Sequence, residues 1–196
     1  MMSRLAIAGL ALALPLTALG APENYTIDPT HTHPHWEVNH LGVSNWRGQF
    51  GKSAGKFMID RAAKTGLVEI VVQTASVISG DNDRGSRPRT LDEHLRTPDF
   101  FNVAEYPTMT YKSTEVKFKG DNPGTIEGNL TLLGVTKPLV LQVENWKCQP
   151  NPFSKKDMCG GNASGSFKRS DFGMKFALAA VGDEVKLWIQ IEGYKD

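Results

Sequence analysis

Three of the five histidines, His31, His33 and His35, alternate along one short stretch, and His40 follows five residues later. On an extended chain, alternate side chains project to one side about 6–7 Å apart, close enough for neighbouring imidazoles to chelate an ion. A metal site needs two or three neutral imidazoles converging at about 2 Å from the ion. No H-E-x-x-H is present, and the spacing of Cys148 and Cys159 is neither C-x-x-C nor a zinc pattern. The histidines therefore have two readings. They are hydrogen-bonded or exposed rings, or His31, His33, His35 and His40 form a weak surface metal site. Other chemistry is poorly supported. There is no G-x-S-x-G elbow, and nothing in the sequence brings Ser44, His40 and Asp28 together. Neither G-x-G-x-x-G nor a P-loop occurs. With no catalytic constellation, the expectation is a non-enzyme that requires no cofactor and holds no resident metal.

The charge balance points the same way. Lys and Arg number 22 against 21 Asp and Glu in 196 residues, a net charge of +1. A chain this close to neutral lacks the basic footprint of a nucleic-acid binder. Residues 1–20 read as a cleavable signal peptide. Arg4 precedes the apolar run Leu5–Leu16, and Ala18-Leu19-Gly20 offers small residues before a cut at Ala21. The run is short of the roughly 20 apolar residues that span a bilayer. Export exposes Cys148 and Cys159 to an oxidising compartment, where an even pair suggests a disulfide. Residues 21–196 then form a single domain.

The dominant period in that domain is two. Val68, Ile70 and Val72 alternate with their neighbours, as do Leu139, Leu141 and Val143, and Val185, Leu187, Ile189 and Ile191. That is the strand signature. Strands are expected near 24–28, 33–39, 46–60, 67–77, 107–119, 124–133, 137–147, 162–169 and 184–194. Gly48, Gly51 and Gly55 should bend or bulge the third of these. Turn-forming residues separate the runs. One short helix interrupts the pattern near 90–97. Thr90 and Glu93 have the spacing of a capping box, Leu91 and Leu95 share a face, and Pro98 stops the run. The helix should cross the sheet or plug one end of it. Strands at this spacing imply an antiparallel sandwich or barrel. A barrel of about eight strands either fills with side chains or keeps room for one small ligand, and periodicity alone leaves both open.

Several ordered motifs carry a resemblance to a known family. They are Tyr25-Thr26-Ile27-Asp28-Pro29-Thr30-His31-Thr32, His40-Leu41-Gly42, Arg47-Gly48-Gln49-Phe50 and Leu91 through Phe101. Tyr106-Pro107, Gly128 through Pro138 and Phe167 through Met174 complete the set. From Tyr25 to Tyr194 the chain resembles the YceI-like family of periplasmic, lipocalin-like proteins. The resemblance implies an all-β, eight-stranded antiparallel barrel around an elongated apolar pocket. It also implies a bound polyisoprenoid, isoprenoid quinone or fatty-acid-like lipid, a periplasmic location, a stress association and frequent homodimers. It implies no catalytic residues. Lipid exchange would bring transient membrane contact.

On that expectation, fifteen alternating residues should line the pocket: Phe57, Ile59, Val68, Ile70, Val72, Met109, Tyr111, Leu130, Leu132, Leu139, Leu141, Val143, Phe167, Leu187 and Ile189. A one-residue error in strand phase would invert the assignment. Head-group candidates are His31, His40, Arg47, His94, Arg96, Lys168 and Arg169. Their competing role is pairing with Asp92, Asp99 or Asp171. His33 and His35 stand where relatives commonly carry an aromatic and a small residue, which keeps a metal or pH-sensitive role open.

Overall fold

The computed structural model describes residues 21–196, so the expected signal peptide at 1–20 lies outside the described residues. The alternating runs form an antiparallel up-and-down meander in which three of the strands are bent. The first bent strand consists of β1 (Glu23–Ile27) and β2 (His33–His40), and the second of β3 (Ser44–Phe50) and β4 (Ser53–Asp60). The third consists of β5 (Thr65–Gln73) and the short β6 (Val77–Ile78), joined through a single tight turn at Thr74–Ser76. Five long strands follow: β7 (Thr108–Lys119), β8 (Asn122–Leu132), β9 (Val135–Pro150), β10 (Asp157–Lys168) and β11 (Val181–Lys195).

Hydrogen bonding runs β1-β4-β5-β7-β8-β9-β10-β11 and returns to β1 through the pairs Tyr25↔Lys195 and Ile27↔Gly193. Eight antiparallel strands therefore close into a barrel, which leaves no free edge around this ring. Beyond the bends the sheet continues on one side only. β2 stays on β11, β3 pairs with β2, and β6 pairs with β3. The helix α1 (Leu91–Leu95) packs beside β6 at this open end.

The helix is shorter than expected, but its start has the anticipated chemistry. Thr90 Oγ1 accepts from the Glu93 N–H at 3.1 Å, and Glu93 Oε2 accepts from the Thr90 N–H at 2.8 Å. The β9–β10 hairpin is longer than its sequence pattern indicates. Polar residues such as Lys147, Gln149 and Asn162 obscure the alternation there. The extension sets Cys148 directly opposite Cys159, Cα atoms 4.0 Å apart, and the two are joined by a disulfide.

The two ends of the barrel differ. At the end holding both β1's start and β11's finish, Tyr25, Ile27, Phe57, Ile59 and Cys159 form a compact plug, with Trp146 and Phe118 against it. Tyr25 stacks on Phe57 with ring centres 4.8 Å apart, and Phe57 meets Trp146 edge-on at 5.5 Å. Phe57 fits because its ring reaches over β1 to Gly193 on β11, where a Cβ would come within 2.6 Å of it. Tyr111 likewise lies over Gly128, where a Cβ would lie 2.6 Å from the ring. Aromatic rings thus cover the glycines that let the sheet curl.

Candidate functional site: an apolar lumen

Above the plug the barrel is hollow. The lumen has a volume of about 160 Å³. A cavity of about 150 Å³ holds benzene, so this lumen takes the last unit or two of a prenyl tail, and a longer chain extends towards the mouth.

Twelve of the fifteen residues expected on the wall border this lumen: Val68, Ile70, Val72, Met109, Tyr111, Leu130, Leu132, Leu139, Leu141, Phe167, Leu187 and Ile189. Phe57, Ile59 and Val143 do not, which corrects the expectation for them. Phe57 and Ile59 face inward but lie at the height of the plug. Val143 packs against the main core two residues closer to the plug than Leu141. Strand phase sets which face a residue takes but not its height along the axis. Sequence periodicity also missed wall residues supplied by bends and loops: Trp36, Phe50, Leu95, Phe100, Phe101, Met174 and Val181. Leu95 is legible as part of the apolar face of a short helix and Phe100-Phe101 as an apolar pair after it, yet their docking onto the barrel depends on tertiary contacts.

The polar side chains bordering the lumen are Thr32, His35, Thr110, Tyr111 and Arg169, and no polar atom is exposed to the space itself. Tyr111 turns its hydroxyl into the wall, 3.1 Å from the carbonyl oxygens of Ile126 and of Leu139. Burial pushes the pKa of this phenol up, so it stays protonated. Thr32 Oγ1 donates to the Glu192 carbonyl at 3.2 Å and accepts from the Glu192 N–H at 3.1 Å, bridging the break between β1 and β2 to β11.

Arg169 is the most revealing of the expected head-group residues. It is buried, and its guanidinium donates to four carbonyl oxygens: Gly182 at 2.9 Å, Met174 at 3.1 Å, Phe176 at 2.9 Å and Val181 at 2.8 Å. Four of its five N–H donors thus hold the backbone at the mouth, and the structure places Arg169 as an anchor of that segment on the lumen wall. Arg96 is committed in the same way. It donates to the carbonyls of Ala75 and Val77, each at 3.0 Å, and fastens the helix to β6.

The other candidates, like Arg96 and unlike Arg169, lie off the lumen. His94 Nε2 is 2.8 Å from Asp99 Oδ2, one of the pairings expected as the competing role. Arg47 pairs with Glu37 at 2.6 Å. His40 meets Trp46 edge-on, ring centres 5.1 Å apart. Lys168 ends β10 and is exposed. His31 sits in the break between β1 and β2, 2.8 Å from Asp28. That partner raises its pKa through the hydrogen bond and then through charge.

The histidine cluster does not assemble. The two ring nitrogens of His33 point at carbonyl oxygens, Phe50 O at 3.3 Å and Thr30 O at 3.1 Å. Both nitrogens are thus turned to the backbone at the start of β2 rather than to the other histidines. Among the described residues, the group of His, Cys, Asp and Glu side chains close enough to share an ion is Asp28, His31 and Glu192. It contains none of His33, His35 or His40.

Comparison with known proteins agrees with this geometry. A family model described as the YceI-like domain matches residues 25–193. A UPF0312 protein of Pseudomonas aeruginosa is 35% identical over 194 residues, covering 96% of this chain and 97% of its own. The YCEI protein of Campylobacter jejuni shares the fold with a TM-score of 0.66 and 26% identity over 81% of this chain and 90% of its own. A polyisoprenoid binding domain from Saccharophagus degradans also shares the fold, with a TM-score of 0.60 and 15% identity over 88% of this chain and 98% of its own. The chain belongs to the YceI-like family.

Proposed function

We propose that this member of the YceI-like family binds a long-chain isoprenoid or similar amphiphilic lipid, without catalysis, by taking the tail into the barrel lumen. One observation carries the reading: a lumen inside a closed barrel to which no polar atom is exposed. Such a space gives nothing to a polar solute and favours hydrocarbon through the loss of water contact. Each methylene transferred contributes about 0.8 kcal/mol, so a five-carbon isoprene unit contributes about 4 kcal/mol before the cost of ordering the chain. Because four of Arg169's five N–H donors go to backbone carbonyls and the other basic candidates lie off the lumen, selectivity rests on tail length and shape, and the head group stays at or outside the mouth. The polyisoprenoid-binding relative of the same fold supports the same ligand class.

The reading places the protein in the periplasm, supported by the leader pattern at 1–20 and by the bridged cysteines, which an oxidising compartment maintains. Storage, transport or sequestration would all use this geometry. The test is a titration with prenyl alcohols of increasing length. Affinity should rise steeply with the first units and then level off once the lumen is full. Affinity that ignores tail length, or tracks the head group instead, would defeat the reading.

A further inference from the structure

The mouth of the lumen is framed by two segments that hold apolar side chains in water. Leu41 and Val43 form the tip of the β2–β3 hairpin, and Phe176 and Leu178 lie in the segment leading into β11. All four are between 38% and 86% exposed. The segments form one surface: the Leu41 N–H donates to the Ala180 carbonyl at 2.7 Å, and His40 pairs with Val181. The same stretches supply lumen wall through Val38, Met174 and Val181. The exposed apolar side chains and these wall residues therefore sit on the same two segments.

This rim is also built rather than loose. The four hydrogen bonds of Arg169 go to carbonyls of Met174, Phe176, Val181 and Gly182, so buried donors fix the backbone that presents Phe176 and Leu178. Its charge suits a membrane surface. The rim segments 38–46 and 172–182 contain no Asp or Glu, Lys175 lies beside Phe176, and the flanking carboxylates Glu37 and Asp183 are held by Arg47 and by Ser170. Phe153 is also exposed, but it sits on the β9–β10 hairpin beyond the aromatic plug, with no path to the lumen.

We propose that the rim formed by Leu41, Val43, Phe176 and Leu178 docks on a lipid bilayer and receives the ligand directly from it. This rests on the reading of the lumen as a lipid site and names the surface through which that site fills. Apolar side chains seated at the acyl boundary, with a cation at head-group level, are the usual terms of interfacial binding.

The test uses the mature protein and its Val43→Ser/Leu178→Ser variant, since neither residue borders the lumen. Flotation is measured with vesicles of phosphatidylethanolamine and phosphatidylglycerol carrying an isoprenoid quinone. Loading of the same quinone from detergent micelles is measured separately. The expected result is vesicle binding and vesicle-to-protein transfer reduced by about tenfold or more in the variant, with loading from micelles unchanged. Equal flotation and transfer by both proteins would overturn the docking surface while leaving the lumen reading intact. Failure of the unaltered protein to load from either source would overturn the lumen reading and this proposal with it. A dimer that the variant converts to monomer, with no flotation, would assign the rim to a second copy of the chain and overturn the bilayer. Should the double variant fail to load from micelles, Val43→Ser alone carries the comparison, since Val43 is the most exposed of the four.

Discussion

Ala163 lies on the lumen wall, opposite Val143 on β9 and Ile189 on β11, and is the smallest side chain there. Replacing it with phenylalanine puts a six-carbon ring into a space of about 160 Å³. The ring occupies roughly the room of one isoprene unit. Expelling that unit into water forfeits at most five carbons at about 0.8 kcal/mol each, or about 4 kcal/mol. At about 1.4 kcal/mol per decade the ceiling is a thousandfold loss of affinity. Partial retreat of the tail towards the mouth leaves a floor of about tenfold. The free protein should behave oppositely, because burying a phenyl ring in an existing void contributes about 1.5–3 kcal/mol less any packing strain. Ala163→Phe should therefore melt no lower than the parent in the unliganded state and bind much more weakly. Isoprenoid quinone titration followed by tryptophan quenching reads the affinity, since Trp36 is on the wall. Urea unfolding of delipidated protein reads the stability. A folded Ala163→Phe protein with unchanged affinity would show that the tail does not enter the lumen.

Three further outcomes follow from particular side chains. Arg169→Met should destabilise the fold by about 3 kcal/mol or more, because buried carbonyls lose a charged donor; unchanged stability with lost lipid affinity would instead restore Arg169 as a head-group residue. Cys148→Ser/Cys159→Ser should lower stability by about 3 kcal/mol on the chain-entropy account, read by urea unfolding with and without reductant; coincident curves would mean the bridge contributes nothing. The pKa of His31 is raised from 6.5, first by its hydrogen bond to Asp28 and then by that charge. Its contribution is thus fully present below about 6.5 and is lost as pH rises through the higher folded value. His31→Asn should flatten a small decline in unfolding midpoint between about pH 6 and pH 8. The effect is modest because the ring is exposed, and an identical decline in the variant would assign it to another group.

The barrel was legible in the sequence because its walls are built by period-two runs. Val68, Ile70 and Val72 on β5, Leu130 and Leu132 on β8, and Leu139 and Leu141 on β9 all reach the lumen that their alternation implies. The plug was not legible: Tyr25, Phe57 and Trp146 come from three distant segments, and only their stacking sets the height at which the tube closes. The charged residues misled for a related reason. A sequence shows that Arg96 and Arg169 are cationic but not that backbone carbonyls claim them. The carbonyls around Arg169 lie 5 to 13 residues away, two in an irregular loop and two at the very start of β11, without periodicity to announce them. The histidines show the converse. Their alternation placed them on one strand, yet the ring of His33 is held between two carbonyls at a strand break, and no shared point forms.

The central claim is that the lumen takes up a hydrocarbon tail, and native mass spectrometry of the protein purified from its own host tests it most directly. The account predicts a mass increment of one lipid per barrel, extractable into organic solvent and regained when polyprenyl lipid or isoprenoid quinone is added to stripped protein. A bare polypeptide mass that no added amphiphile changes would contradict it.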